Sequence, residues 1–222
     1  MSTAILRKSY AAPPFCKRDI LRYAGCRAEE SDVAALAESC IEEVRDKLTY
    51  RVCYRHFNVV TDGELCNFED MFTLRSEKLA QSLDTCSEVV LFASTVGVGI
   101  DRLIARYGHL SPSRALMLQA VGAERIEALC DSFCADLERE YDCGTRPRFS
   151  PGYGDLSLAA QRQLFAVLSP ERQIGLTLTD SLLMSPSKSV TAIVGLTAQK
   201  EAAVSCKCTL CDKIDCTYRG SI

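Results

Sequence analysis

The sequence predicts an α+β fold, on three observations. Helical and strand patterns mix without the regular alternation that a doubly wound parallel sheet requires. The apolar period changes from helical to twofold at Tyr50, and a hairpin turn follows at Asp62-Gly63. One long amphipathic helix begins just past the chain's midpoint, with short apolar strands before and after it.

Each element has its own signal. Ser2 to Cys16 is weakly patterned and predicts no element. Lys17 to Arg22 begins a short helix that Tyr23 to Cys26 closes at Gly25. Ser31 reads as the N-cap of a helix to about Leu48, with Val33, Leu36, Ala37, Cys40, Ile41, Val44 and Leu48 at helical spacing. From Tyr50 to Val60, Val52, Tyr54, His56 and Asn58 alternate with Cys53, Arg55, Phe57 and Val59. That is the pattern of a half-buried strand, and a second strand near Glu64 to Phe68 pairs back. Ser76 caps a short helix through Leu83.

Glu88 to Thr95 is an apolar strand ending in Gly97-Val98-Gly99. This triplet lacks the third glycine and the lysine of a phosphate loop, so it reads as a strand-to-helix turn into a helix over Ile100 to Tyr107. Ser111-Pro112 opens the longest helix, about Ser113 to Tyr141. Its buried stripe is Leu118, Val121, Ile126, Leu129, Cys130, Phe133, Cys134, Leu137 and Tyr141, and Gly122 is a candidate kink. A loop rich in Pro and Gly, Asp142 to Gly154, precedes a helix over Leu158 to Leu168. Strands at Ile174 to Leu178 and Ser189 to Leu196 flank Ser185-Pro186-Ser187.

Composition narrows the function classes. Of 222 residues, 47% are hydrophobic and 25% charged, enough to bury a core. A formal net charge of −3 supplies no basic field for nucleic acid. No run of eighteen apolar residues suggests a membrane span, and Met1 to Tyr10 does not read as a signal peptide. The 13 cysteines are therefore expected to be mostly reduced and buried, in a cytoplasmic protein. His56 and His109 belong to no triad pattern, so no hydrolase is expected. The expected division is one domain over 1–202 and a cysteine-rich tail over 203–222.

Two stretches could carry a ligand. Residues 146 to 154, Arg-Pro-Arg-Phe-Ser-Pro-Gly-Tyr-Gly, form a loop that prolines stiffen and glycines open to close approach. Arg148 can fork onto a carboxylate, and Tyr153 offers a flat apolar face. Read alone, the stretch is first of all a connecting loop. Residues 176 to 192, Leu-Thr-Leu-Thr-Asp-Ser-Leu-Leu-Met-Ser-Pro-Ser-Lys-Ser-Val-Thr-Ala, read alone as strand, turn and strand.

Together, in this order and spacing, the two resemble the S-adenosylmethionine-binding activation domain of cobalamin-dependent methionine synthase. Arg148, Gly152 and Tyr153 match that family's Arg-Pro-x-x-Gly-Tyr loop. Leu178, Thr179, Ser181, Met184, Pro186, Ser189 and Val190 match its second segment, with Asp180 in place of Glu. Phe149 and Gly154 stand where the family has prolines, and Arg146-Pro147 offers a competing register for the arginine. The resemblance covers 146 to 196 and implies a mostly antiparallel twisted sheet with packed helices. It also implies a chemistry: cobalamin oxidised to the cobalt(II) form on a partner chain regains its methyl group from S-adenosylmethionine and one electron from an external donor such as a flavodoxin or ferredoxin. On this resemblance Arg148 holds the methionyl carboxylate, the backbone around Ser150 and Gly152 approaches the ligand, and Tyr153 packs on it. Glu127 faces the ammonium, with Glu124 one turn away as the alternative.

The tail carries a separate signal. Cys206, Cys208, Cys211 and Cys216 place four soft ligands within eleven residues, a set able to close around zinc or an iron–sulfur cluster. A similar tail, C-x2-C-x4-C-x-Tyr-Arg, is familiar in free-standing relatives of the domain. The alternative function is accordingly a metal- or cluster-bearing redox or docking protein for a corrinoid methyltransferase that does not use S-adenosylmethionine.

Overall fold

Strand β2 (Tyr50–Asp62) organises the molecule, because helices bury both of its faces. The computed structural model describes residues 4–26, 31–69 and 71–198. In chain order, β1 (Leu6–Tyr10), α1 (Lys17–Tyr23) and α2 (Ser31–Val44) precede β2. Then come β3 (Leu65–Phe68), β4 (Phe72–Arg75), α3 (Glu77–Leu83), β5 (Glu88–Thr95), α4 (Gly99–Leu110) and α5 (Pro112–Glu140). Last are β6 (Gly144–Thr145), α6 (Ala160–Leu168), α7 (Pro170–Ile174), β7 (Thr177–Leu178), β8 (Met184–Ser185) and β9 (Ser189–Thr197).

Seven strands make one antiparallel sheet in the order β4-β3-β2-β5-β9-β6, with β1 beside the first half of β2. Strands β7 and β8 form a separate small hairpin. The α+β class with an antiparallel sheet is what the sequence predicted. Tyr50, Val52 and Tyr54 enter one core with Val90, Phe92, Ala192 and Val194, under α1, α2, α4 and α5. Cys53, Phe57, Val89, Leu91 and Ile193 enter the other, under α3, α6 and α7. Around its middle, at Val52, Cys53, Tyr54 and Phe57, β2 is therefore buried on both sides rather than half-buried. No helix among the described residues is long and apolar enough to cross a membrane.

Helix α5 is one uninterrupted helix. Phe133 on its stripe meets Tyr54 at 5.1 Å and Phe92 at 4.9 Å between ring centroids. Gly122 does not divide it. A Cβ there would lie 2.8 Å from Cγ of Lys188 and 2.9 Å from Cδ1 of Ile100, so the glycine lets these two side chains pack close against the helix. One turn further on, the buried Arg125 donates to the carbonyls of Pro13 and Pro14 at 2.5 and 2.7 Å and pairs with Glu124. Glu124 in turn accepts from the Cys16 amide at 3.2 Å. This buried pair fastens the N-terminal arm and gives β1 its place, though the arm's sequence is unpatterned.

Other boundaries moved for local reasons. Ile174 ends α7 instead of opening a strand, because Pro170 starts a helical turn and Gly175 closes it at φ 73°. Helix α2 stops at Val44, short of Leu48. Ser76 caps α3 as expected, its hydroxyl accepting from the Leu79 amide at 3.0 Å. Gly97-Val98-Gly99 is a strand-to-helix turn, as read, and it packs so tightly that a Cβ on Gly99 would meet the Lys47 carbonyl at 2.0 Å.

Candidate functional site around Arg148

The loop after β6 runs along the free edge of β9. Thr145 pairs with Leu196, the Arg146 amide donates to Gly195 at 2.9 Å, and Phe149 exchanges two hydrogen bonds with Ile193 at 2.9 and 2.8 Å. From Thr145 to Phe149 is four residues, while from Leu196 to Ile193 is three. The extra residue makes Pro147-Arg148 a bulge, and a bulge re-aims its side chain. Phe149 packs into the core beneath α3, α6 and α7, whereas Arg148 turns to α5 on the sheet's other side.

There Arg148 meets two carboxylates. One terminal nitrogen lies 2.7 Å from Glu127 and the other 2.5 Å from Asp131, with the Cys134 sulfur at 3.9 Å. Its side chain is 10% exposed. Burial works against the guanidinium's charge, but Cys130, Asp131, Glu127 and Cys134 around it raise its hold on the proton above the usual arginine value. Cys130 is buried beside Ser94, and desolvation pushes its thiol up to about 12. One guanidinium thus faces two carboxylates.

The next residues form a tight turn. The Tyr153 amide donates to the Ser150 carbonyl at 3.1 Å, and Pro151-Gly152 sits in the centre with Gly152 at φ 89°. A type II turn asks for Pro followed by a residue with positive φ, which explains this pair of residues without reference to a ligand. Tyr153 is 69% exposed. Asp155 then ties the loop to the start of α3. It accepts from the Ser76 hydroxyl at 2.5 Å and from the amides of Glu77 and Lys78 at 2.7 and 3.3 Å. Those bonds to Ser76 and the amides hold its carboxyl below the ordinary aspartate range.

The second segment folds as the β7–β8 hairpin and then approaches the turn before α4. Thr179 and Leu183 bond to each other across the hairpin, and Ser189 donates to Thr95 at 2.9 Å. Asp101 accepts from the Ser187 amide at 3.2 Å. Lys188 lies along Gly122, and burial lowers its affinity for the proton.

The structure thus brings Arg148 and Glu127 together, and places Ser150, Gly152 and Tyr153 in the turn that follows. Glu124 is spent on Arg125 and the arm, which removes it as the alternative to Glu127. Asp131 and Asp155 are the residues that sequence reasoning missed. Asp131 was within reach of it, since it is four residues from Glu127 on one helix face. Asp155 gave no local signal, because its partners lie more than seventy residues earlier. Cys206, Cys208, Cys211 and Cys216 lie outside the described residues. Among those described, no group of three or more His, Cys, Asp or Glu is placed to hold a metal.

Comparison with known proteins bears on this arrangement. A solved structure described as the crystal structure of the MetH reactivation domain bound to AdoHcy superimposes with a TM-score of 0.62. The match covers 89% of this chain and 80% of that one at 14% sequence identity, so it shows a shared fold. A search of curated proteins finds no match. The family model for the activation domain of vitamin B12-dependent methionine synthase matches residues 69–208, a span that takes in α5, the Arg148 bulge and the β7–β8 hairpin. The chain belongs to the family of vitamin B12-dependent methionine synthase activation domains.

Proposed function

We propose that this chain reactivates a cobalamin-dependent methionine synthase, binding S-adenosylmethionine and supporting reductive methylation of cob(II)alamin on a partner chain. The observation that carries the reading is the cluster of Arg148, Glu127 and Asp131 beside the Arg-x3-Gly-Tyr turn. S-adenosylmethionine carries one carboxylate, one ammonium and one sulfonium, and this site offers charged groups of both signs. Arg148 is the partner for the carboxylate, and Glu127 and Asp131 are the partners for the cationic groups. A ligand entering here exchanges the internal ion pairs for its own, so much of the electrostatic energy is conserved. Tyr153 leaves its ring open to a ligand or a docking partner. The solved relative holding AdoHcy supports the same ligand class.

When bound, S-adenosylmethionine supplies the methyl group, and a flavodoxin- or ferredoxin-like donor supplies the electron. What this chain's residues do is bind and orient that donor against the partner's corrin. The division into 1–202 and a 203–222 tail, and a cytoplasmic location, belong to the same proposal. Calorimetric titration of S-adenosylmethionine into reduced, anaerobically prepared protein tests it. Saturable binding that weakens at least about tenfold in Arg148→Ala and in Glu127→Gln is the expected result. Binding equal to wild type in both variants, with unchanged circular dichroism, would remove Arg148 from the site.

A second reading rests on the tail. Four cysteines within eleven residues favour a zinc- or cluster-bearing redox or docking role toward a corrinoid protein. Metal analysis of the anaerobic protein separates the two: stoichiometric metal without S-adenosylmethionine binding selects this second reading.

A further inference from the structure

A cavity of about 460 Å³ opens at the β1 side of the sheet, across β2, β5 and β9 from the Arg148 loop. It is bordered by Arg7, Lys8, Ser9, Arg51, Gln173 and Ile174. Ser9 lies opposite Arg51 in the β1–β2 register, and Arg7 is two residues from Ser9. All three side chains therefore leave the same face. Arg7 and Arg51 are diagonal neighbours on adjacent strands, a relation that sets the residues roughly 7–8 Å apart. Lys8 belongs to the other face, where its ammonium is 2.5 Å from Glu140. Helix α7 contributes the Gln173 amide and the buried Ile174.

Among the described residues no carboxylate pairs with Arg7 or Arg51. Arg7 and Arg51 are both exposed, so their mutual repulsion is screened but not abolished. A bound anion relieves that repulsion, and each guanidinium presents a planar fork matched to phosphate oxygens. A concave space of this volume is in the range of small-molecule sites. We propose that this cavity is a second ligand site, for a phosphate ester or diphosphate held between Arg7 and Arg51. It is separate from the site proposed for S-adenosylmethionine.

Titration of the full chain with pyrophosphate at low ionic strength tests the proposal, read by calorimetry. The expected result is one saturable site, weakened at least about tenfold by Arg7→Gln and by Arg51→Gln. Arg172→Gln, on α7 but outside the cavity, should leave it unchanged. On the unaltered protein, pyrophosphate should slow phenylglyoxal modification of Arg7 and Arg51, mapped by peptide mass. Absence of saturation, or wild-type affinity in both variants, would overturn the site. Protection by poly-glutamate and not by pyrophosphate would overturn the ligand class in favour of an acidic partner. S-adenosylmethionine binding should be unaffected in both variants, so this proposal and that for Arg148 fail independently.

Discussion

Replacing Arg125 with Met removes the guanidinium that fastens the N-terminal arm to α5. Three kinds of contact are lost: the pair with Glu124, the bonds to the carbonyls of Pro13 and Pro14, and the stacking over Phe15 at 3.8 Å. Arg125 is 0% exposed and Glu124 4% exposed, so the carboxylate left behind has little access to water. Breaking a buried pair from one side costs about 3–5 kcal/mol, most of it the uncompensated charge. The double variant Glu124→Gln/Arg125→Met removes that charge, although the arm's carbonyls still lack a donor. Its loss should be smaller than the single variant's by about 2 kcal/mol. Urea unfolding followed by circular dichroism gives both values, and limited proteolysis should show earlier cleavage between Arg7 and Lys17 in the single variant. A single-variant loss below about 1 kcal/mol, or a double variant no more stable than the single, would refute the assignment.

Four further outcomes are expected. Ser76→Ala should cost about 1 kcal/mol in chemical unfolding, since the hydroxyl caps α3 and also meets Asp155. The Asp155 carboxyl is held below its ordinary value, so its contribution is present above the unfolded-state pKa, about 3.9, and is lost as pH falls through the folded value. Thermal melts from pH 6 downward should therefore decline less steeply in Asp155→Asn than in wild type, and parallel slopes would contradict the cap. Gly99→Ala forces a Cβ against the Lys47 carbonyl and should destabilise the fold by about 1–3 kcal/mol, whereas Gly108→Ala, in open space, should not. Burial pushes the Cys53 and Cys130 thiols up to about 12 and Cys66 up to about 11. Iodoacetamide at pH 8 should accordingly label the exposed Cys16 well before those three, read peptide by peptide.

What the sequence made legible follows from how local each signal was. The α5 stripe, the Ser76 cap, the Gly97–Gly99 turn and the hairpin after β2 are written within a few residues; the first three appear as read, and the hairpin appears with its turn one residue later, at Gly63-Glu64, because Asp62 still pairs with Leu65. Strand β1 was invisible because Leu6–Tyr10 is polar and exposed, and it exists by pairing with β2 and by the hold of Arg125 on Pro13 and Pro14. Phe72–Arg75 is too short for a period and is a strand because β3 offers it an edge. At the candidate site, Arg148 was named from the loop that resembles the family's and Glu127 from its place on the long helix, but their mutual ion pair was not read. That pairing depends on one extra residue in the bulge, which only the register with β9 reveals.

The position of β9 has a consequence for how the chain reaches this state. Ser189–Thr197 is the last strand among the described residues, yet it is laid between β5 and β6 and carries hydrogen bonds on both sides. During synthesis, β2 and β5 can pair early, but the β5 edge stays open until β9, about ninety residues later, has been made. An open edge of this composition, Val-Val-Leu-Phe-Ala, is a site for association with other nascent chains. The sheet is therefore completed only once β9 has left the ribosome. Any truncation before Ser189 exchanges a missing strand for an aggregation surface rather than for a smaller working domain.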